Sequence, residues 1–170
     1  MRTRVATLGG SLLRPEVEDR HEWLIELCKA VNDVISSGYK LALVIGGGAP
    51  AREGIELAKP ILNANTEALD RIGIAATRLN ATIVAEALVE AGNDVAPLIP
   101  INIQDAVEYS ENHSIVVMGG TEPGHTTDTV AIQLAKELGA ECCIIATNVG
   151  HVYSSDPRKN EHAKKFRKMT

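Results

Sequence analysis

The chain has 170 residues, 45% of them hydrophobic and 23% charged, with 17 Lys+Arg against 22 Asp+Glu and a formal net charge of −5. A chain of this size and make-up suits one globular domain, or a domain and part of another, with a core of its own, and its acidic balance speaks against a general nucleic-acid-binding surface. One Trp, one Phe and three Tyr are too few for a base-stacking platform, so the core must be built from Ala, Val, Ile and Leu, as in helices packed on a parallel sheet.

Arg4–Leu8 reads as a short apolar strand that runs into Gly9-Gly10-Ser11. Residues 18–36 follow with helical periodicity, Trp23, Leu24, Leu27, Val31, Val34 and Ile35 falling on one face, and Ser36-Ser37-Gly38 stops them. Leu41–Ile45 is a continuous apolar strand met at once by Gly46-Gly47-Gly48. Helices are expected over 51–62 and, longer, over 66–91. A short strand is expected at 94–96 and a short helical stretch near 104–109. Ser114–Met118 is a further buried strand, running into Gly119-Gly120-Thr121-Glu122-Pro123-Gly124-His125-Thr126-Thr127-Asp128. A helix over 130–138 and a strand over 141–146 come next, and the polar, basic tail 161–170 need not be ordered. Cys28, Cys142 and Cys143 have no zinc spacing and read as reduced thiols. No apolar run approaches the ~18 residues of a membrane span, and Gly9, Gly10 and Ser11 break the N-terminal apolar stretch, which argues against a signal peptide. The expectation is a cytoplasmic protein with no membrane partner.

Strand and helix alternate at a spacing that predicts parallel βαβ units and an α/β sandwich. Three strands end in glycine- or hydroxyl-rich loops, and in open parallel sheets ligands collect beyond the strands' carboxyl ends. Glycines there let backbone N–H groups approach an anion, and a helix N-terminus adds its positive dipole. Each loop alone is also an ordinary tight turn; three on one sheet edge point to phosphates. None spells a P-loop or a dinucleotide fingerprint. Arg52 would aim a fixed positive fork back at the 46–48 loop, or sit solvated on the surface. Asp70 and Arg78 share a face of the long helix, where Asp70 could accept from a sugar hydroxyl or be an ordinary polar residue. Thr126 and Thr127 could contact a ligand or cap the following helix, and Asp128 suits its dipole. Nothing brings His125 and His151 together as a metal pair, and His21, His113 and His162 read as surface residues.

Leu8-Gly-Gly-Ser11, Gly46-Gly-Gly-x-x-Ala-Arg52, Leu69-Asp-x-Ile-Gly-Ile-x-x-Thr-Arg-Leu-Asn-Ala81, Met118–Asp128 and Ala146-Thr-Asn-Val149 with Val152-Tyr153 and Asp156-Pro157 together resemble the archaeal type of uridylate (UMP) kinase, a branch of the amino acid kinase superfamily. The match runs from residue 4 to 170 in the family's order. The resemblance implies a three-layer αβα sandwich with a mainly parallel sheet, forming one domain over 1–170. Residues 1–118 would be mainly the UMP-side lobe and 119–170 the start of the ATP-side lobe, whose C-terminal portion this chain lacks. It implies transfer of the γ-phosphoryl group of ATP to UMP with Mg²⁺ in pyrimidine nucleotide synthesis. It also implies a homo-oligomer, a hexamer built from dimers, with helix 66–91 as the dimer face.

By the same resemblance Arg52 and Asp128 are the catalytic pair. Gly10, Ser11, Gly48, Arg52, Thr147, Asn148, Tyr153 and Asp156 face ATP. Gly47, Asp70, Thr121, Glu122, Pro123, Gly124, His125, Thr126 and Thr127 face UMP, and the protein itself supplies no metal cage. The chain departs from the pattern at Thr7, where many superfamily members carry Lys although archaeal members vary, at Ala49, where some archaeal members carry Lys, and at Gly150-His151, where Asp-Gly is usual. These departures and the early stop leave a second expectation: a truncated or degenerate relative on the same fold that binds a nucleotide or oxyanion without turnover. A third is a kinase acting on another small phosphate or carboxylate substrate.

Overall fold

The computed structural model describes residues 2–13, 20–63, 65–146, 152–155 and 160–166. Its centre is a four-stranded parallel sheet in the order β3-β2-β1-β4, made of β1 (Arg2–Leu8), β2 (Tyr39–Ile45), β3 (Ile115–Met118) and β4 (Cys142–Ala146). β1 runs in register with β2 from Arg2 opposite Tyr39 to Leu8 opposite Ile45, so both strands end level and their loops emerge side by side. β4 pairs on the other side of β1, with Leu8 opposite Ala146.

Alternation along the strands divides the core in two. Leu41, Leu43, Ile45, Ile115 and Val117 face one side, where α1 (Arg20–Ser36) and α3 (Thr66–Glu90) supply Val31, Ala81, Val84 and Leu88. Ala42, Val44, Val116 and Met118 face the other, against α4 (Ile103–Asn112) and α5 (Thr127–Glu137), which supply Ala106, Val130, Ala131 and Leu134. A sheet covered on both faces needs continuous apolar strands rather than alternating ones, which explains the unbroken run Leu41–Ile45. The expected αβα sandwich with a parallel sheet is therefore the observed one. α2 (Gly48–Ala58) lies against α3 outside the first helical layer.

Several local expectations are corrected. α2 begins at Gly48, three residues before the predicted start, because Pro50 is tolerated in a first turn whose N–H groups have no intrahelical partner; it ends ahead of Pro60. Residues 94–96 make only an isolated bridge, Val95 to Ile115. α5 begins at Thr127, with Thr126 as its cap. The strand expected over 141–146 forms as β4 and lies at an edge of the sheet, with Ile144 and Ile145 49% and 43% exposed. The tail is not featureless: β6 (Lys165–Phe166) pairs antiparallel with β5 (Val152–Tyr153). His113 is not a plain surface residue, since its Nδ1 lies 2.9 Å from Asp94 Oδ1. Finally, α3 is long and apolar enough to cross a membrane by length and composition, although no uninterrupted apolar run announces it. It packs here on β2, β3, α1 and α2, with Thr77, Asn80, Ala81, Val84, Ala85 and Leu88 buried.

Candidate active site

The carboxyl ends of β1, β2 and β3 lie on one edge of the sheet, and the loops that follow them interlock. A Cβ on Gly10 would fall 2.1 Å from the Gly48 backbone nitrogen, and one on Gly46 would fall 2.5 Å from the Gly10 nitrogen. Gly48 itself takes a positive φ of 60°. These glycines are therefore required by backbone packing before any ligand arrives.

Beyond them opens a cleft of about 440 Å³ lined on the β2–α2 side by Gly47, Gly48, Ala51, Arg52 and Ile55. The α3 side contributes Asp70, Gly73, Ile74 and Thr77, and the β3–α5 side contributes Gly120, Glu122, His125, Thr126 and Thr127. The arrangement follows from helical spacing: residues 70, 73, 74 and 77 recur at i, i+3, i+4 and i+7 and so share one face. Arg52 sits in the first turns of α2 with its side chain exposed, and among the described residues no carboxylate neutralises it. The N-terminus of α5 faces the same space. Its cap is Thr126, whose Oγ1 accepts from Thr129 N–H at 3.2 Å, so this hydroxyl has a structural task as well. Helix dipole and guanidinium put positive charge on this side of the cleft, with Asp70 and Glu122 as carboxylates elsewhere on its lining.

Asp70 Oδ2 accepts from Gly124 N–H at 2.8 Å, which ties α3 to the 119–127 loop. His125 Nδ1 lies 3.2 Å from Glu122 Oε1 yet points too far off line to hydrogen-bond with it; the contact is electrostatic only when the imidazole is protonated. Thr7, fully buried on β1, donates from Oγ1 to Asp128 Oδ1 at 3.3 Å. Ala49 is 3% exposed, so both positions at which some members of the resembled superfamily carry Lys are closed here.

The structure thus brings Gly47, Gly48, Arg52, Asp70, Glu122, His125, Thr126 and Thr127 around one cleft. Gly10, Thr121, Pro123, Gly124 and Asp128 do not line it, Gly124 and Asp128 being exposed, and Tyr153 lies in the β5–β6 hairpin. Thr147, Asn148 and Asp156 lie outside the described residues, as do Gly150, His151 and the Ser11 side chain. Sequence reasoning missed the apolar floor of Ile55 and Ile74 and the polar Thr77. The i+7 spacing from Asp70 to Thr77 was the available signal. A second cavity, about 470 Å³ between α1 and the end of α3, is lined by Leu24, Ile25, Cys28 and Ala87 among others. Its lining, which also includes His21 in the first turn of α1 and Lys29, contains no glycine loop.

The model of the amino acid kinase family matches residues 2–170. A uridylate kinase of Methanocaldococcus jannaschii is 41% identical over 166 residues, 98% of this chain and 72% of that protein. The crystal structure of the Archaeoglobus fulgidus uridylate kinase superposes with a TM-score of 0.80 at 41% identity, covering 98% of this chain and 72% of that one. A UMP kinase of Bacillus anthracis superposes at 0.74 with 23% identity, a likeness of fold alone. The chain belongs to the amino acid kinase family and groups with its archaeal uridylate kinases.

Proposed function

We propose that this chain is a nucleoside monophosphate kinase that transfers the γ-phosphoryl group of ATP to UMP, giving UDP and ADP. The observation that carries the reading is the convergence of Arg52, Asp70 and the 122–127 loop on one cleft at the strand ends. Phosphoryl transfer asks little covalent help of the protein; it needs positioning and neutralisation of charge spread over phosphate oxygens. Arg52, the 46–48 backbone and the α5 N-terminus supply this. Asp70 is suited to a ribose hydroxyl, with Ile55 and Ile74 offering apolar surface to a base. UMP binds along Gly47, Asp70 and Thr121–Thr127. ATP lies along Gly10, Ser11, Gly48, Arg52, Thr147, Asn148, Tyr153 and Asp156.

Mg²⁺ usually binds through one or two carboxylates and the substrate's phosphates rather than in a protein cage. Among the described residues no three His, Cys, Asp or Glu side chains are clustered as such a cage. In this reading the metal would be held by the ATP phosphates, with Asp128 as the carboxylate this chain offers at the start of α5, and would neutralise charge on the transferring group. The same reading takes 1–118 as the UMP-side lobe and 119–170 as a portion of the ATP-side lobe. It places the enzyme in the cytoplasm, in pyrimidine nucleotide synthesis, as a homo-oligomer with α3 as the dimer face.

The test is diphosphate formation from ATP, Mg²⁺ and each nucleoside monophosphate in turn. UDP formed in clear preference supports the proposal; equal use of all acceptors sinks its substrate assignment. The closed Thr7 and Ala49 positions favour one other reading, a nucleotide binder without turnover. UMP binding by calorimetry in a sample that forms no UDP is its signature.

A further inference from the structure

α3 does more than line the cleft. Thr77 Oγ1 donates to the Ile74 carbonyl at 2.6 Å and accepts from Gly120 N–H at 2.7 Å. Asn80 Nδ2, one turn on, donates to the carbonyls of Gly46 at 2.8 Å and Gly47 at 3.0 Å. Between them Arg78 Nη2 reaches three carbonyls, Ile101 at 3.1 Å and Gly120 and Thr121 at 3.4 Å each. Thr77 and Asn80 are only 7% and 3% exposed. Neither favours a helix interior, and a buried polar side chain is costly unless bonded. What they bond is the backbone of the two loops that frame the cleft.

The direction of these bonds matters. A peptide unit is planar, with its N–H opposite its C=O. Drawing the Gly46 and Gly47 carbonyls toward Asn80 therefore turns the Gly47 and Gly48 N–H groups away from α3. Arg78 does the same for the N–H groups of Thr121 and Glu122, by holding the carbonyls of Gly120 and Thr121. Gly47, Gly48 and Glu122 all line the cleft.

We infer that Thr77, Arg78 and Asn80 are positioning residues, which hold the 46–48 loop and the 119–124 segment at fixed spacing through one rigid helix. The inference rests on the kinase reading, because that spacing sets how the acceptor meets the donor phosphate. A misplacement of about 1 Å can cost ~10² in rate without touching a reacting group.

The test separates hydroxyl from shape in the full chain. Thr77→Val keeps the volume and removes the hydroxyl; Thr77→Ser keeps the hydroxyl and removes a methyl. Thr77→Val is expected to raise amide exchange across 119–124 and to weaken UMP binding, each about tenfold, the effect of one lost buried hydrogen bond. Thr77→Ser should stay near wild type on both, and ATP binding should move little in either variant. Arg78→Lys, whose ammonium ends one atom closer to the backbone than Nη2, loses reach to these carbonyls and should raise the KM for UMP. Equal behaviour of the Val and Ser variants in exchange and binding overturns the inference and leaves Thr77 as packing. A wild-type chain that fails to bind UMP overturns the kinase reading instead, while the exchange comparison still decides whether Thr77 holds the loop.

Discussion

Arg52 and Asp70 differ in how far the protein already uses them. Arg52 has no ion-pair partner among the described residues and lines the cleft. Arg52→Ala should therefore leave the melting temperature unchanged and lower turnover by ~10²–10³, the usual cost of one preorganised donor at a developing charge. Steady-state kinetics beside a thermal melt checks both halves. Asp70 already accepts from Gly124 N–H, and the Asn carbonyl can keep that bond. Asp70→Asn should accordingly preserve the fold but weaken UMP far more than ATP, because one oxygen becomes a donor; equal losses in titration calorimetry would reduce Asp70 to a loop tie. On the opposite edge of the sheet, Asp94 is held below the ordinary carboxylate range chiefly by His113 and the Ser114 N–H, against an opposing effect of burial that exceeds the further help of the Ser114 hydroxyl. A depressed folded pKa stabilises above the unfolded value, near ~4, and that stability fades as pH falls through the folded value. Asp94→Asn should lower the melting temperature at neutral pH and flatten its decline on acidification below ~4. An unchanged acid slope would exclude Asp94 as a contributor.

The elements sort by how local their causes are. β1, β2, β3, α1 and α3 were legible in the sequence because each is an apolar run or a helical periodicity followed by glycine. The β5–β6 hairpin was not, since strands of two residues carry no period. The exposure of β4 was hidden too, because an apolar run reads alike at the edge and in the middle of a sheet. In the site, the glycine loops and Arg52 could be read from their place after strands. Thr77 and Asn80 could not be assigned, for their partners arrive from residues 34 and 43 positions away. Glycine shows the same contrast between local and assembled causes. Gly38 needs φ of 82° but has nothing near its missing Cβ, so Gly38→Ala should cost about 1–2 kcal/mol, the ordinary penalty of the left-handed region. Gly10 meets the Gly48 nitrogen at 2.1 Å. Gly10→Ala must push its own loop and the 46–48 loop apart and should cost ~4 kcal/mol or more, the range kept for structural collisions. Urea unfolding of both variants distinguishes them, and equal midpoints would mean that the loops do not interlock.

At the scale of the molecule, two of the apolar surfaces exposed among the described residues bear on assembly. One is β4, with Ile144 and Ile145 half exposed at an unpaired edge of the sheet. The other is the outer side of α3, where Leu79, Ile83 and Val89 are 56%, 45% and 51% exposed. They predict different assemblies. A strand edge adds further strands without a built-in stop, so self-association through it is open-ended. An apolar stripe on a rigid helix can meet its own copy about a two-fold axis, which closes at the dimer. Leu79 and Ile83 are four residues apart, one above the other on the helix, and burying such side chains is worth about 1.5–3 kcal/mol apiece. The homo-oligomer proposed for this chain should accordingly form through α3. Sedimentation velocity should find a discrete dimer or multiple of it, and Leu79→Lys with Ile83→Lys should reduce it to monomers without loss of the helical circular dichroism signal. Ile144→Lys should leave that state intact. If Ile144→Lys dissolves the assembly and the α3 pair does not, the contact belongs to the sheet edge. The long helix would then join the two loops of one cleft without joining two copies of the chain.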